Sequence, residues 1–224
     1  MGTRLKLFSL TAAALLAASA AQAQQAGTLM ARIGVTQISP DVTSGDLSAP
    51  SFAGTKADIK SDVQPTGGVT WMWSDNVSVD IPLALGFTHE LVGDGAIAGV
   101  GKIGEVKALP ITLLMQYRFG DARSTVRPYI GFGPTYAKFY KARSTAALTG
   151  LTGGSPTTPT TLSVESKWAA TVQLGVSVAI NSKWSVDAAV LKTKLSTRTT
   201  LSTGQTLDAK LDPTSFTVGV SYAY

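Results

Sequence analysis

The sequence predicts an all-β fold, an eight-stranded antiparallel transmembrane β-barrel with short periplasmic turns and long extracellular loops. Three observations predict it. Apolar residues recur at every second position over eight separate stretches, the period of a strand with two unlike faces. The connections between those stretches alternate between short and long. Beyond the first residues, no run approaches the ~20 apolar residues that a membrane-crossing helix needs.

Those first residues predict export. Met1-Gly2-Thr3-Arg4-Leu5-Lys6 is a short basic start, Leu7 to Ala21 is an apolar run, and Ala21-Gln22-Ala23 is a small-x-small cleavage pattern. Residues 1–23 therefore read as a cleaved signal peptide and residues 24–224 as one outer-membrane barrel domain. The apolar run is too short for an anchor. The chain has 19 Lys and Arg against 14 Asp and Glu, and two of those cations, Arg4 and Lys6, lie in the leader. So mild a balance, without a basic cluster, excludes a nucleic-acid footprint. The absence of cysteine removes disulfides, thiolate metal sites and thiol chemistry.

The strands follow in order. In the first, Leu29, Ala31, Ile33 and Val35 face one way and Met30, Arg32, Gly34 and Thr36 the other. The second sets Val69, Trp71 and Trp73 opposite Thr66, Gly68 and Thr70. The third places Val77, Val79, Ile81, Leu83, Leu85 and Phe87 opposite Ser78, Asp80, Pro82, Ala84, Gly86 and Thr88. In the fourth, Leu109, Ile111, Leu113, Met115, Tyr117 and Phe119 oppose Pro110, Thr112, Leu114, Gln116 and Arg118. The remaining four are expected at residues 126–140, 167–180, 184–193 and 207–224. Short polar turns are expected at residues 74–76, 120–125 and 181–183, and long loops at 39–60, 89–106, 141–164 and 194–206. Such asymmetry is expected of a barrel whose short turns face the periplasm.

The aromatic residues sort into two belts, as membrane interfaces demand. Trp71, Trp73, Tyr117, Phe119, Trp184, Tyr222 and Tyr224 lie beside the short turns; Phe87, Tyr136, Phe139, Tyr140 and Trp168 lie toward the long loops. A soluble barrel would place its large apolar side chains inside. Here the face that lacks large apolar residues is built of Gly, Ala, Ser, Thr and Gln with a few charges.

These residues resemble the OmpW-like outer-membrane proteins, a family that includes the AlkL-type importers. The match spans nearly all of the mature chain, through Arg32-Ile33-Gly34 with Pro40, Ser74-Asp75-Asn76-Val77-Ser78-Val79 and Phe87-Thr88-His89. It continues in Gly101-Lys102-Ile103-Gly104-Glu105, Leu109-Pro110, Gln116-Tyr117-Arg118-Phe119-Gly120-Asp121 and Arg127-Pro128-Tyr129-Ile130-Gly131-Phe132-Gly133. Ser166-Lys167-Trp168 and Leu211-Asp212-Pro213 complete it. The resemblance implies an eight-stranded barrel in the outer membrane of a Gram-negative bacterium. It also implies a hydrophobic channel that admits small apolar molecules and releases them sideways. Two departures stand out: the chain ends in Tyr224 where the family commonly ends in Phe, and Pro82 stands where a lumen-facing Leu is often found.

The inward face carries the expectations about mechanism. Arg32, Asp80, Arg118, Arg127 and Asp187 fall on it near the short turns and are expected to pair as a periplasmic plug, since unpaired buried charges are very costly. Above them the inward set is apolar or small, with Pro82, Ala84, Pro110, Leu114 and Leu191 as channel candidates and Trp168 as a lid or constriction. Pro65, Pro82 and Pro110 each lack a ladder N–H and fall in three successive strands, so a break in pairing there is a candidate side gate. The competing account is that they mark only bulges. His89 is expected to serve as a hydrogen-bonding residue at a loop base, because no Ser, Cys or second His accompanies it. Gly99-x-Gly101-x-x-Gly104 lacks the strand–helix setting of a dinucleotide site. No metal, cofactor or catalytic residue is expected. Passive uptake of small hydrophobic molecules is the leading expectation, before a structural or adhesive barrel and a lipid-modifying enzyme. The partners expected are outer-membrane lipid, small hydrophobic molecules and the assembly machinery, the last through the C-terminal strand.

Overall fold

The computed structural model describes residues 24–224, so the signal segment expected at 1–23 lies outside the described residues. Its strands are β1 (Leu29–Ser39), β2 (Thr43–Ser44), β3 (Thr55–Ile59), β4 (Asp62–Met72) and β5 (Val77–Ala84). Next come β6 (Phe87–Gly95), β7 (Lys102–Thr112), β8 (Leu114–Arg118), β9 (Val126–Ser144) and β10 (Leu162–Val164). The last are β11 (Lys167–Ala179), β12 (Trp184–Lys194), β13 (Ser196–Leu201), β14 (Thr206–Lys210) and β15 (Thr214–Ala223).

Eight segments cross as antiparallel staves: β1, β4, β5 with β6, β7 with β8, β9, β11, β12 and β15. Each pairs with its sequence neighbour, and β15 closes on β1 with Val35 opposite Val218 and Met30 opposite Ala223. Alternation then decides which side chains meet what. Ile33, Val35, Leu83, Phe132, Val172, Leu174 and Phe216 all point outward and are exposed, while Arg32, Asp80, Gln116, Arg118, Arg127 and Gln173 are buried inside. An apolar outer surface of this extent is foreign to soluble monomers. It is the arrangement that lipid requires, because a charge on that face at mid-bilayer costs ~2–4 kcal/mol.

The short turns are built by side chains. Asn181 Oδ1 accepts from the backbone N–H groups of Lys183 and Trp184, both at 2.9 Å. Asn76 Nδ2 donates to the carbonyls of Arg118 and Gly120, both at 2.8 Å, and so ties the first turn to the second.

Four expectations need correction. The third stave is not one strand: it breaks between Ala84 and Phe87, where Gly86 takes φ +102°. The extra residue inverts the alternation, so Phe87 turns inward and is almost fully buried while Leu85 faces out. Phe139 also leaves the expected outer belt and packs into the interior beside Ala137, Leu195 and Leu211. Finally, the four segments expected as loops are largely folded. Strands β6 and β7 pair from Phe87–Ala108 to Val92–Lys102, and β10, β13, β14 and β2 form a second, four-stranded sheet. This cap has its own core of Leu91, Ile97, Ile103, Val106, Leu148, Leu162 and Leu201. The stretch expected as a single final strand is divided at residues 211–213, with Leu207 in the cap and β15 in the wall.

Candidate functional site: the barrel interior

The periplasmic half is filled by a polar network. Arg32 on β1 reaches Asp80 on β5 at 3.3 Å and Asp187 on β12 at 3.4 Å. Thr70 donates to Asp80 at 2.5 Å, and the Tyr129 hydroxyl donates to Asp187 at 2.8 Å. Arg118 forms no ion pair among the described residues. It donates to Ser78 at 3.2 Å, Gln24 at 3.2 Å and Gln116 at 2.9 Å, and its guanidinium lies 4.6 Å from the Tyr129 ring centre. Arg127 donates to the carbonyls of Gln24 at 3.0 Å and Asp75 at 2.6 Å. Gln116 donates to the Gln173 amide oxygen at 2.8 Å and Gln24 to the Ser177 hydroxyl at 2.8 Å, completing the layer. Met30, Met72 and Ala223 pack together beneath it. The side chains thus fill this half of the barrel, consistent with how little room eight strands enclose.

The five expected plug residues are therefore brought to one layer, although only Arg32, Asp80 and Asp187 form ion pairs. The remainder of the layer is neutral and lies beyond the expected set: Gln24, Ser78, Gln116, Tyr129 and Gln173. Four of these have the inward parity, and that was the available signal.

Above the plug, threonines change what the wall offers. Hydroxyls join Thr112, Thr135, Thr171 and Thr193 in one chain at 2.8, 2.6 and 2.8 Å, and join Thr36 to Thr66 and to Thr217 at 2.8 Å each. Hydroxyls that satisfy one another present little polarity to an occupant. Two small cavities are stacked here. The lower, about 60 Å³, is lined by Pro82, Ala84, Phe87, Pro110 and Leu191 among others. The upper, about 70 Å³, is lined by Pro110, His89, Ala137, Phe139, Leu195 and Leu211 among others. The two share Ile38, Pro110, Thr193 and Ser215. His89 is buried, with Nδ1 2.9 Å from the Lys60 carbonyl oxygen.

Two channel candidates lie elsewhere. Leu114 is inward and wholly buried, but it pairs with Asp80 at the level of the plug. Trp168 is 71% exposed on the outer surface against Tyr136, so it is no lid over the lumen; strand alternation from the inward Thr171 turns it out.

The wall beside the lower cavity is incompletely paired. Strand β5 meets β8 only from Val77–Tyr117 to Asp80–Leu114, and β6 meets β7 no lower than Phe87–Ala108. Residues 81–86 thus face 109–113 across a break in the ladder. On the other side, β4 and β5 pair no higher than Thr66–Ala84. Thr66, Gly67, Leu83 and Ala84 line both the lower cavity and a groove on the outer face.

A closed antiparallel barrel with a polar interior and an apolar outer face defines an outer-membrane β-barrel protein. The comparisons agree. The profile of the OmpW family matches residues 25–224, and the chain belongs to that family. Outer membrane protein W of Salmonella typhi is 31% identical over 227 residues, covering 98% of this chain and 100% of the relative. The crystal structure of OprG from Pseudomonas aeruginosa superposes with TM-score 0.80 at 27% identity, covering 91% of this chain and 98% of that one. The solid-state NMR structure of AlkL in DMPC bilayers has the same fold, with TM-score 0.63 and 20% identity over 89% of this chain and 91% of that one. The chain is accordingly a protein of the Gram-negative outer membrane.

Proposed function

We propose that the barrel is a passive channel for small hydrophobic molecules, which enter the apolar upper lumen, stop at the polar plug and leave sideways into the membrane. The observation that carries this reading is the shared lining: Thr66, Gly67, Leu83 and Ala84 bound the inner cavity on one side and the lipid-facing groove on the other. An apolar solute that reaches the lumen has left water at a gain of ~25 cal/mol per Å², and lipid beyond the wall is an equally good solvent. Nothing opposes the last step except the wall itself, in which residues 81–84 pair with β4 on one edge while residues 81–86 have no ladder partner on the other, toward β7 and β8. The plug denies the alternative route to the periplasm.

Initial uptake rates test the reading. Cells expressing the protein should take up a small aromatic ester faster than cells with an empty vector, and a sugar of similar size no faster. Ala84→Asp should abolish the gain, because it places an ion in the route while leaving the plug intact. Equal ester rates in wild type, Ala84→Asp and empty vector would return the protein to a structural barrel without transport.

A further inference from the structure

The outward side chains change character at the upper edge of the lipid-facing band, and they do so on one side only. On β7 the next outward residue above Leu109 is Lys107; on β9, Lys138 follows Tyr136; on β12, Lys192 and Lys194 follow Val190. On β15 and β1 the corresponding positions are Thr214 and Gln37. Strands β7, β9, β11 and β12 are consecutive in the wall, so the cations form one arc. The short turns show no such bias: they carry Asp75, Asp121, Arg123 and Lys183, two of each sign.

Most of the arc is uncompensated. Lys192 is held by the Asp212 carbonyl at 2.6 Å and by Asp41 at 3.6 Å. Lys107, Lys138 and Lys194, by contrast, make no salt bridge among the described residues. Between Lys138 and Lys194 stands the pair Tyr136–Trp168, with ring centres 5.1 Å apart. Lys194 pairs with Ala170, two residues below Trp168 on the same outward face. Directly above opens an outer concavity of about 710 Å³ lined by Lys167, Arg198 and Lys210 together with Glu165 and Asp208, among others. Arg198 is engaged there by Asp208 at 2.7 and 2.8 Å, and that hydrogen-bonded guanidinium holds the Asp208 carboxyl below the usual carboxylate range. Lys167 is engaged by Glu165 at 2.7 Å, whereas Lys210 makes no salt bridge among the described residues.

We propose that this arc binds the phosphorylated sugar headgroup of an outer-leaflet glycolipid, with phosphates on Lys138, Lys194 and Lys210 and a sugar ring stacked on Trp168. The chemistry of the two residue types selects the occupant. Lysines at a membrane surface attract anionic headgroups, and an exposed aromatic ring offers a flat apolar face to a sugar. The arc borders lipid, so its occupant is a membrane component and not a soluble phosphate. The site lies on the outer surface and is independent of transport through the lumen.

Purified protein in phosphatidylcholine nanodiscs provides the test, with a diphosphorylated glycolipid and its dephosphorylated form as probes and bound lipid counted by native mass spectrometry. Wild type should bind the phosphorylated form about a hundred-fold more tightly at low salt, and the preference should fall as salt rises. The triple variant Lys138→Gln/Lys194→Gln/Lys210→Gln should lose the preference while keeping heat-modifiable mobility. Lys138→Gln and Lys194→Gln should each lower it about five-fold alone, which preserves the test should the triple variant fold poorly. Trp168→Ala should weaken both forms equally. Equal binding of the two forms by wild type, a preference that survives all three lysine substitutions, or displacement by inorganic phosphate at matched concentration would each overturn the proposal.

Discussion

Arg32 reaches two carboxylates at once, whereas Arg118, equally buried, rests on amides, a hydroxyl and an aromatic ring. Their removal should therefore differ. Arg32→Ala strands the buried carboxylates of Asp80 and Asp187, and breaking a buried pair in this way costs ~3–5 kcal/mol. Arg118→Ala leaves neutral groups short of a donor, a loss of about 1–3 kcal/mol. Urea unfolding in lipid vesicles should rank the two in that order, and Asp80→Asn/Asp187→Asn should recover much of the Arg32→Ala deficit. A reversed rank would mean that Arg118 carries the carboxylates. The sequence made the inward charges legible, because strand parity alone assigns Arg32, Asp80 and Asp187 to one face. It could not reveal who pairs with whom. Arg32 is 48 residues from Asp80 and 155 from Asp187, so the contacts depend on register and side-chain reach across several staves. Gln116 and Tyr129 share the inward parity and were passed over because a neutral side chain gives no warning that a buried guanidinium will need it.

Strand alternation survives in a stave only while each residue advances the pleat by one step, and the break at Gly86 shows what a single extra residue does. Leu85 and Phe87 are both of odd number, yet the first is 86% exposed and the second almost wholly buried. The backbone turns there at φ +102°, with the Tyr140 hydroxyl against the glycine and donating to the Leu85 carbonyl at 3.1 Å. Gly86→Ala should cost more than about 1–2 kcal/mol, since a Cβ is disfavoured at that φ and would collide with Tyr140. Tyr140→Phe should restore only the steric part. Unfolding midpoints in detergent measure both, and a neutral Gly86→Ala would mean that the break does not need this conformation. From the sequence, period-two alternation identified the staves and their outward faces, β1 and β8 included. The phase flip was invisible because a lone Gly is as common in an unbroken strand of this chain, as Gly34 and Gly131 show. The cap looks like loop in the sequence for a related reason. Its strands β10 and β2 hold three and two residues, too few for any period to register, and they are stable only by covering the Leu91–Leu201 core together.

At the scale of the molecule, three layers are stacked: a hydrogen-bonded polar layer, two small cavities walled by paired threonines and apolar side chains, and a cap with its own apolar core. All three hang on one closed ladder, because no stave can bury its inner face or satisfy its edge alone, and an open sheet edge is not tolerated in lipid. The closing seam is β15, which joins β12 on one side, Trp184 opposite Tyr222, and β1 on the other, Ala31 opposite Tyr222. Tyr222 packs its ring 4.8 Å from Trp184 and 4.9 Å from Tyr224, placing three aromatics at the interface where β12 and β15 meet the short-turn end. The Tyr224 N–H donates to the Leu29 carbonyl at 2.9 Å and the Ala223 N–H to the Lys183 carbonyl at 2.8 Å, so the last two residues hold both edges together. Deleting residues 222–224 should therefore do more than trim an end. It exposes ladder groups on β1 and β12 within the bilayer, and it removes Ala223 from beneath the plug, where it packs with Met30 and Met72. The expected result is a sharp fall in heat-modifiable, membrane-inserted protein, whereas Tyr224→Phe, which keeps both the ring and the backbone donor, should assemble normally. Full insertion of the truncated chain, seen as an unchanged mobility shift on heating, would show that closure is secured elsewhere along β1 and β15.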